Sequence, residues 1–382
     1  MSGSTPLLPV AIPTPCFVID LEQLQRNLRV LSELARATEC RILLALKAFA
    51  LPYALPLIGR HLQGASVGSL NEARLARERL GGELHVYAPA FRPAEFAPLL
   101  DLAPTTLTFN SLSQRERYRA AVAARADVSC GLRLRPTRSG SRHPIYRTCG
   151  ADSRFGVPAH GLRDADLSGV HGALLHVHCQ DDRVALAESL RILEAEFAFL
   201  LPRLAWLNLG GGQLLTAPEY ERARLCELLQ DLQRRYRLQL YLEPGQAVVW
   251  EVATLVTTVL DVVEDAVPVL VLDASAIAHI PDFLHAGHAI AVRDAGPPGE
   301  HPFRYRLVGS SCSSLDVFGE FSFAQPLRPG AQLAFLNQAD YTLVQANTFN
   351  GIDLPNIAVL EEGRYRLVRD FGANEYRTRW PG

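Results

Sequence analysis

The sequence predicts a (β/α)8 barrel joined to a second, mainly β domain. Three observations carry that expectation. Eight short apolar runs recur over roughly two hundred residues, most of them separated by stretches of helical periodicity. After Glu243-Pro244-Gly245 the texture changes to strand-like runs linked by Pro/Gly-rich turns. Finally, Lys47 is the only lysine in 382 residues, and it stands at the C-terminal end of the first apolar run, where a barrel places its chemistry. An open doubly wound sheet is the alternative, because strand counting alone does not separate the two.

Taken in order, residues 1–15 form a Pro/Ser-rich lead expected to be a loose arm. Cys16-Phe-Val-Ile-Asp20 reads as a strand, and Asp20 can cap a helix in which Leu21, Leu24, Leu28, Leu31 and Leu34 recur at helical spacing. The barrel runs are expected at 42–46, 64–67, 84–88, 106–109, 131–135, 172–178, 206–209 and 240–243. Helical patterns at 71–80, 113–124, 184–200 and 218–236 fall between them. Further strands are expected at 252–263, 267–273, 304–308, 332–336 and 365–369, with 295–302 as a turn or mobile loop. The expected division is an arm and strand over 1–20 that joins the β domain, a barrel over 21–245 and a β domain over 246–382.

Composition narrows the function. The net charge is -2, with 38 basic and 40 acidic residues interspersed, which is no footprint for nucleic acid. No apolar run approaches a membrane span, and the N-terminus lacks a signal-peptide layout. Seven scattered cysteines without a CxxC pair predict neither a disulfide framework nor a zinc site, so a reducing cytoplasm is expected.

The strand ends then collect unusual residues. Every basic residue except Lys47 is arginine, and a guanidinium cannot lose its proton to attack a carbonyl, whereas a lysine amine can form a Schiff base. His176 and His178 end the sixth run, Gly210-Gly211-Gly212 follows the seventh, and Glu243 ends the eighth. Side-chain-free glycines let backbone N–H groups approach a phosphate. A GxGxxG fingerprint is absent, and the His-x-His pair has no third ligand at metal spacing, so no metal is expected. An amine, a phosphate cradle, a flat-ring neighbour and a carboxylate for a pyridine nitrogen together describe a pyridoxal 5'-phosphate site.

At these stretches the chain resembles the fold-type III pyridoxal-phosphate decarboxylases, the alanine racemase-like group of ornithine and diaminopimelate decarboxylases. It is most similar to their carboxynorspermidine (carboxyspermidine) branch. The resemblance runs from about residue 13 to 378. It is carried by Leu44-Ala-Leu-Lys47-Ala-Phe49, Ser153-Arg-Phe-Gly156, Trp206-Leu-Asn-Leu-Gly-Gly-Gly212, Leu242-Glu-Pro-Gly245, His279-Ile-Pro-Asp282, Gly309-Ser-Ser-Cys312 and Phe349-Asn-Gly351. It implies that Lys47 holds the cofactor aldehyde and His178 stacks on its ring, with His176 the competitor if the alignment slips by two. It implies that Gly210, Gly211, Gly212, Gly245 and Tyr341 hold the phosphate and Glu243 pairs with the pyridine nitrogen. Cys312, from a partner subunit, is implied as the proton donor to the substrate carbon. Asp273, His279, Asp282 and Asp316 are implied around the substrate, the carboxylates as holders of its distal amines. The implied assembly is a homodimer with shared active sites, decarboxylating a basic amino acid in polyamine (spermidine) biosynthesis.

Two departures stand out. Where the branch carries Leu-Cys-Glu after its His-x-His, His178 is followed by Cys179-Gln180-Asp181-Asp182, and where it carries histidine after the triple glycine, Gln213-Leu214-Leu215 follows. Both put the substrate in question and leave the cofactor reading intact. The rivals are a decarboxylase of another amino acid, a racemase, a non-catalytic pyridoxal-phosphate protein and a cofactor-free barrel hydrolase.

Overall fold

The computed structural model describes residues 8–9, 12–141, 148–282 and 290–380. The chain divides into two compact units, Gln25–Val248 and Met1–Leu24 with Val249–Gly382. Strand β1 (Cys16–Asp20) leads into the helix Leu21–Thr38, whose leucines at helical spacing are buried.

The larger unit is a closed barrel of eight parallel strands. These are β2 (Arg41–Ala45), β3 (Gly64–Val67), β4 (Glu83–Tyr87), β5 (Thr106–Phe109), β6 (Ser129–Arg133), β7 (Gly172–Leu174), β8 (Trp206–Asn208) and β9 (Gln239–Leu242). Pairing of Arg41 with Tyr241 and of Ile42 with Leu242 closes it. The strands are short and almost wholly buried because a barrel strand has packed side chains on both faces. One interior layer is filled by Leu43, Trp206 and Tyr241. Trp206 fits because β6 and β7 offer no side chain opposite it: a Cβ at Gly131 or Gly172 would lie 2.4 or 1.9 Å from its ring atoms. The indole Nε1–H donates to Ser129 Oγ at 2.8 Å.

The helices begin where the sequence offers caps. Ser69 Oγ accepts from Glu72 N at 3.2 Å, satisfying a first-turn donor, while the Glu72 carboxylate accepts from Gly68 N just before the cap. Asp182 caps the helix Arg183–Phe197 through Ala185 N. The last long helix starts at Arg222 rather than at 218, because residues 214–220 are taken up in turns. Strand β7 is shorter than the expected 172–178: it ends at Leu174, and both histidines lie beyond it.

The second unit is a nine-stranded sheet among the described residues. It contains β1, β10 (Ala253–Val263), β11 (Val269–Leu272), β12 (Ala295–Gly296), β13 (Phe303–Val308), β14 (Val317–Phe323), β15 (Gln332–Phe335), β16 (Asn356–Glu361) and β17 (Arg364–Arg369). The order is β12-β14-β13-β11-β10-β1-β16-β17, with β15 also on β10. Strand β1 runs antiparallel to β10 and parallel to β16. Strands β14 and β16 are additions to the expected set.

Two expectations change here. Residues 1–7, 10 and 11 of the arm lie outside the described residues, but the rest is not loose. Leu8 and Ile12 are buried against Cys16, Val18, Val256, Ala334 and Ala358, and Leu8 N donates to Gln332 Oε1 at 3.0 Å. Apolar side chains in the lead fix it to the sheet. The segment 295–302 is part strand: Ala295 and Gly296 pair with Phe323 and Ser322, and Ser322 Oγ donates to Pro297 O at 2.6 Å.

Candidate active site

Lys47 follows β2 in a tight turn, with Ala48 N bonded to Ala45 O and Phe49 N to Leu46 O. Its side chain keeps accessible surface while its surroundings are dense with protein, so it occupies a recess. Burial pushes its ammonium below the usual lysine range. Glu243 pulls the other way, and Arg133 adds to the push. An amine displaced downward is nearer to the neutral, nucleophilic form.

Adjacent β9 supplies Glu243. Strands β2 and β9 are neighbours, and the loop after β9 is locked to Lys47's own turn: Ala45 N donates to Pro244 O at 3.1 Å. A Cβ on Gly245 would lie 2.4 Å from Ala48 Cβ, so only glycine lets these loops meet. The Glu243 carboxylate is aimed by Asn208, a buried amide at the last position of β8. Asn208 Nδ2 donates to Glu243 Oε1 at 2.6 Å, and its Oδ1 accepts from Gly210 N at 2.9 Å. Asn208 was not anticipated. Its signal was legible as the one polar residue in Trp206-Leu-Asn-Leu, immediately before the triple glycine.

The glycine turn is folded hard against its neighbours. Gly210 and Gly212 have φ of +68° and +99°. A Cβ on Gly211 would sit 2.1 Å from Glu243 O, and one on Gly212 would sit 2.2 Å from His178 O. Two of its N–H groups are committed, Gly210 to Asn208 and Gly211 to His176 Nδ1 at 3.1 Å. The cradle expected from all three glycines therefore narrows to Gly212 in this turn, among the described residues.

The two histidines separate cleanly. His176 keeps partial exposure, and its ring accepts from the Gly211 amide. Burial drives its imidazolium well below the usual range, helped by the Lys47 and Arg133 charges, so the ring is neutral. His178 is interior: its side chain is 1% exposed, and Nδ1 donates to Asp181 at 3.0 Å. The geometry thus turns His176 rather than His178 toward Lys47. The two candidates are set apart because β7 ends at Leu174 and the chain carries residue 178 inward.

Arg133 also belongs to this site, although one arginine among many carries no mark in the sequence. It ends β6, is buried, and its guanidinium lies 4.8 Å from the Tyr87 ring centroid and 4.3 Å from that of Phe155. Its Nη2 donates to His176 O at 2.9 Å. Phe155 belongs to Ser153-Arg-Phe-Gly156, which is pinned by Asn110: Oδ1 accepts from Gly156 N at 2.7 Å, and Nδ2 donates to Arg154 O at 2.9 Å.

The remaining expected residues lie in the sheet unit. Cys312 is exposed in a loop, and its N–H donates to Asn350 Oδ1 at 2.9 Å. Tyr341 adopts a φ of +54°. Three of the four expected substrate contacts are committed internally. Asp273 accepts from Thr257 Oγ1 and Thr14 Oγ1, both at 2.5 Å. Asp316 accepts from Ala276 N at 2.6 Å and Ser311 N at 3.0 Å, bracing the Cys312 loop. His279 is wholly buried, with Nδ1 accepting from Ser275 N and Nε2 donating to Asp353 O, and burial pulls it down to about 4. Asp282 differs: it is partly exposed, and its Oδ1 accepts from the Gln345 amide at 3.4 Å. Asp340, not anticipated, neighbours it. Burial and then the Asp282 charge push its carboxyl up to about 7.

A family model described as pyridoxal-dependent decarboxylase, C-terminal sheet domain, matches residues 16–339. The chain belongs to the pyridoxal-dependent decarboxylases. It is 40% identical to the carboxyaminopropylagmatine decarboxylase of Synechocystis sp., covering 97% of this chain and 96% of that one. It is 32% identical to the carboxynorspermidine/carboxyspermidine decarboxylase of Campylobacter jejuni, over 96% of this chain and 98% of the relative. The crystal structure of a C. jejuni carboxynorspermidine decarboxylase complexed with norspermidine superposes with a TM-score of 0.90 at 31% identity, covering 96% and 100% of the two chains. Diaminopimelate decarboxylase from Helicobacter pylori shares the fold, with a TM-score of 0.83 at 20% identity and coverage of 96% and 97%.

The site fits pyridoxal phosphate by the chemistry of its donors. One amine with a depressed pKa, a carboxylate aimed by a buried amide and a glycine turn free of side chains lie around one barrel mouth. Among the described residues no group of three or more His, Cys, Asp or Glu is placed to hold a metal ion, and no helix is long and apolar enough to cross a membrane.

Proposed function

We propose that this decarboxylase acts on an α-amino acid whose long side chain ends in a cationic group, a carboxylated polyamine such as carboxynorspermidine or carboxyspermidine. The observation that carries the reading is Lys47, the chain's single lysine, set beside a Glu243 carboxylate that Asn208 holds at 2.6 Å. Bound pyridoxal phosphate supplies an electron sink for the pair left behind when carbon dioxide departs.

The chain's residues supply the rest. Lys47, with its ammonium disfavoured by burial, binds the cofactor aldehyde and later returns to release the amine product. Glu243 holds a proton at the pyridine nitrogen. Gly212 and Gly245 hold the phosphate, and neutral His176 covers the ring. Cys312, brought by a second copy of the chain, delivers a proton to the α-carbon. Asp282 and Asp340 attract the terminal cation, which offsets the cost of ionising Asp340 beside a like charge. The working form is a cytoplasmic homodimer with shared sites.

A second reading concerns the tail alone. Identity of 40% to a carboxyaminopropylagmatine decarboxylase favours a guanidinium there, which two carboxylates can bind more specifically than an ammonium. The test is product analysis by mass spectrometry with carboxynorspermidine, carboxyspermidine and carboxyaminopropylagmatine, alongside a visible spectrum. A cofactor band near ~420 nm with turnover of a carboxylated polyamine supports the reading. A band with no turnover of all three would refute the substrate class.

A further inference from the structure

Behind the glycine turn lies a buried polar cluster that the mechanism above does not use, centred on Asp181. Its N–H donates to Gly212 O at 2.8 Å and its carbonyl accepts from Leu214 N at 3.3 Å. Asp181 also pairs with Gln213 as an isolated parallel bridge. Its carboxylate accepts the His178 Nδ1–H at 3.0 Å and the Cys179 N–H at 3.3 Å. The His178 and Asp181 side chains are 1% and 0% exposed. Among the described residues, three buried atoms of the same region have no hydrogen-bond partner: His178 Nε2, Gln213 Nε2 and Tyr220 Oη. The Tyr220 hydroxyl is pushed above its usual range by burial and then by Asp182, with Asp181 adding to it.

Polar groups concentrated at this depth are costly and do not arise from packing alone. What they hold in place is the turn. The peptide plane before Gly211 is pinned by Gly211 N on His176, and the plane after Gly212 is pinned by Gly212 O on Asp181. The intervening plane carries the Gly212 N–H. It is suspended between two fixed neighbours, at a Gly212 φ of +99° in the left-handed region that favours glycine.

We propose that His178 and Asp181 form a positioning unit that fixes the direction of the Gly212 N–H and so sets the protein's affinity for the cofactor's phosphate. This rests on the reading that the glycine turn holds that phosphate. It also reinterprets the two departures from the branch pattern. Residues 178–182 and 213–215 meet on one seam through Asp181 and Gln213, so they act together on the phosphate turn and not on the substrate's tail.

The test uses the full-length protein stripped of cofactor and measures binding of pyridoxal phosphate, pyridoxal and inorganic phosphate, with circular dichroism confirming the fold. His178→Leu removes the Asp181 bond. It should weaken pyridoxal phosphate and inorganic phosphate roughly 10-fold while leaving pyridoxal within about 2-fold, since one charge-assisted bond is lost. His178→Asn, whose amide can reach Asp181 from the Nδ1 position, should recover most of the loss. His178→Gln, which cannot, should not. If His178→Leu does not fold, the Asn and Gln variants decide. Phosphate affinities unchanged in His178→Leu and His178→Gln, or an equal loss for pyridoxal, would overturn the proposal. A wild-type protein that binds pyridoxal as tightly as pyridoxal phosphate would instead refute the phosphate reading of the turn beneath it.

Discussion

Replacing Asn208 by alanine tests whether Glu243 is aimed by the protein or merely present. The amide makes two bonds from a position that is 3% exposed, to Glu243 Oε1 at 2.6 Å and from Gly210 N at 2.9 Å. The first is charge-assisted, worth about 1.5–3 kcal/mol, and the second leaves a buried N–H without its acceptor at about 1–3 kcal/mol. Glu243 is only half-buried, so water can replace part of the first bond. The expected loss is therefore about 3 kcal/mol. Equilibrium urea unfolding of the cofactor-free protein reads that loss as a lower midpoint at unchanged slope. The same variant should bind pyridoxal phosphate more weakly, because both the carboxylate and the turn lose their common anchor. Asn208→Asp should be worse still, since it sets a second carboxylate against Glu243. A midpoint and a cofactor affinity both indistinguishable from wild type in Asn208→Ala would refute the argument that this amide organises the site.

Other outcomes follow from particular contacts. Lys47→Arg keeps the charge but removes the nucleophilic amine, so the band near ~420 nm and turnover should both disappear; surviving turnover would remove Lys47 from the mechanism. Gly172→Ala drives a methyl to within 1.9 Å of the Trp206 ring and should cost about 3 kcal/mol in urea, with partial recovery when Trp206→Leu is added. His279 is held neutral when folded, at about 4 against an ordinary 6.5. The unfolded chain takes up its proton first as pH falls. About 3 kcal/mol should accordingly be lost between pH 6.5 and 4, and the urea midpoint of His279→Leu should lack that slope. Asp340 has the opposite sign: its carboxyl is raised to about 7, so its contribution is full at acid pH and is lost as pH rises through 7. Asp340→Asn should stabilise the substrate-free protein above pH 7 and raise KM for a cationic substrate. Unchanged KM would show that Asp340 does not meet the tail.

Much of the site was legible because barrel chemistry collects at strand ends. Lys47, the glycine turn and Glu243 all stand directly after runs whose apolar character marks them as buried strands, and β-strand order brings the first and eighth together. Local pattern likewise determined the eight barrel strands and the long β10. It determined neither how far β7 runs nor which way residues 176 and 178 face, because a strand's end depends on where its neighbours stop pairing. Tertiary structure alone decided that His176 is the neutral ring beside the turn and that His178 is interior with Asp181. It alone decided that Asp273, His279 and Asp316 are each hydrogen-bonded within the sheet unit, while Asp282 and Asp340 come together. A carboxylate's role depends on which donors reach it, and a donor can lie as far along the chain as Thr14 does from Asp273, 259 residues.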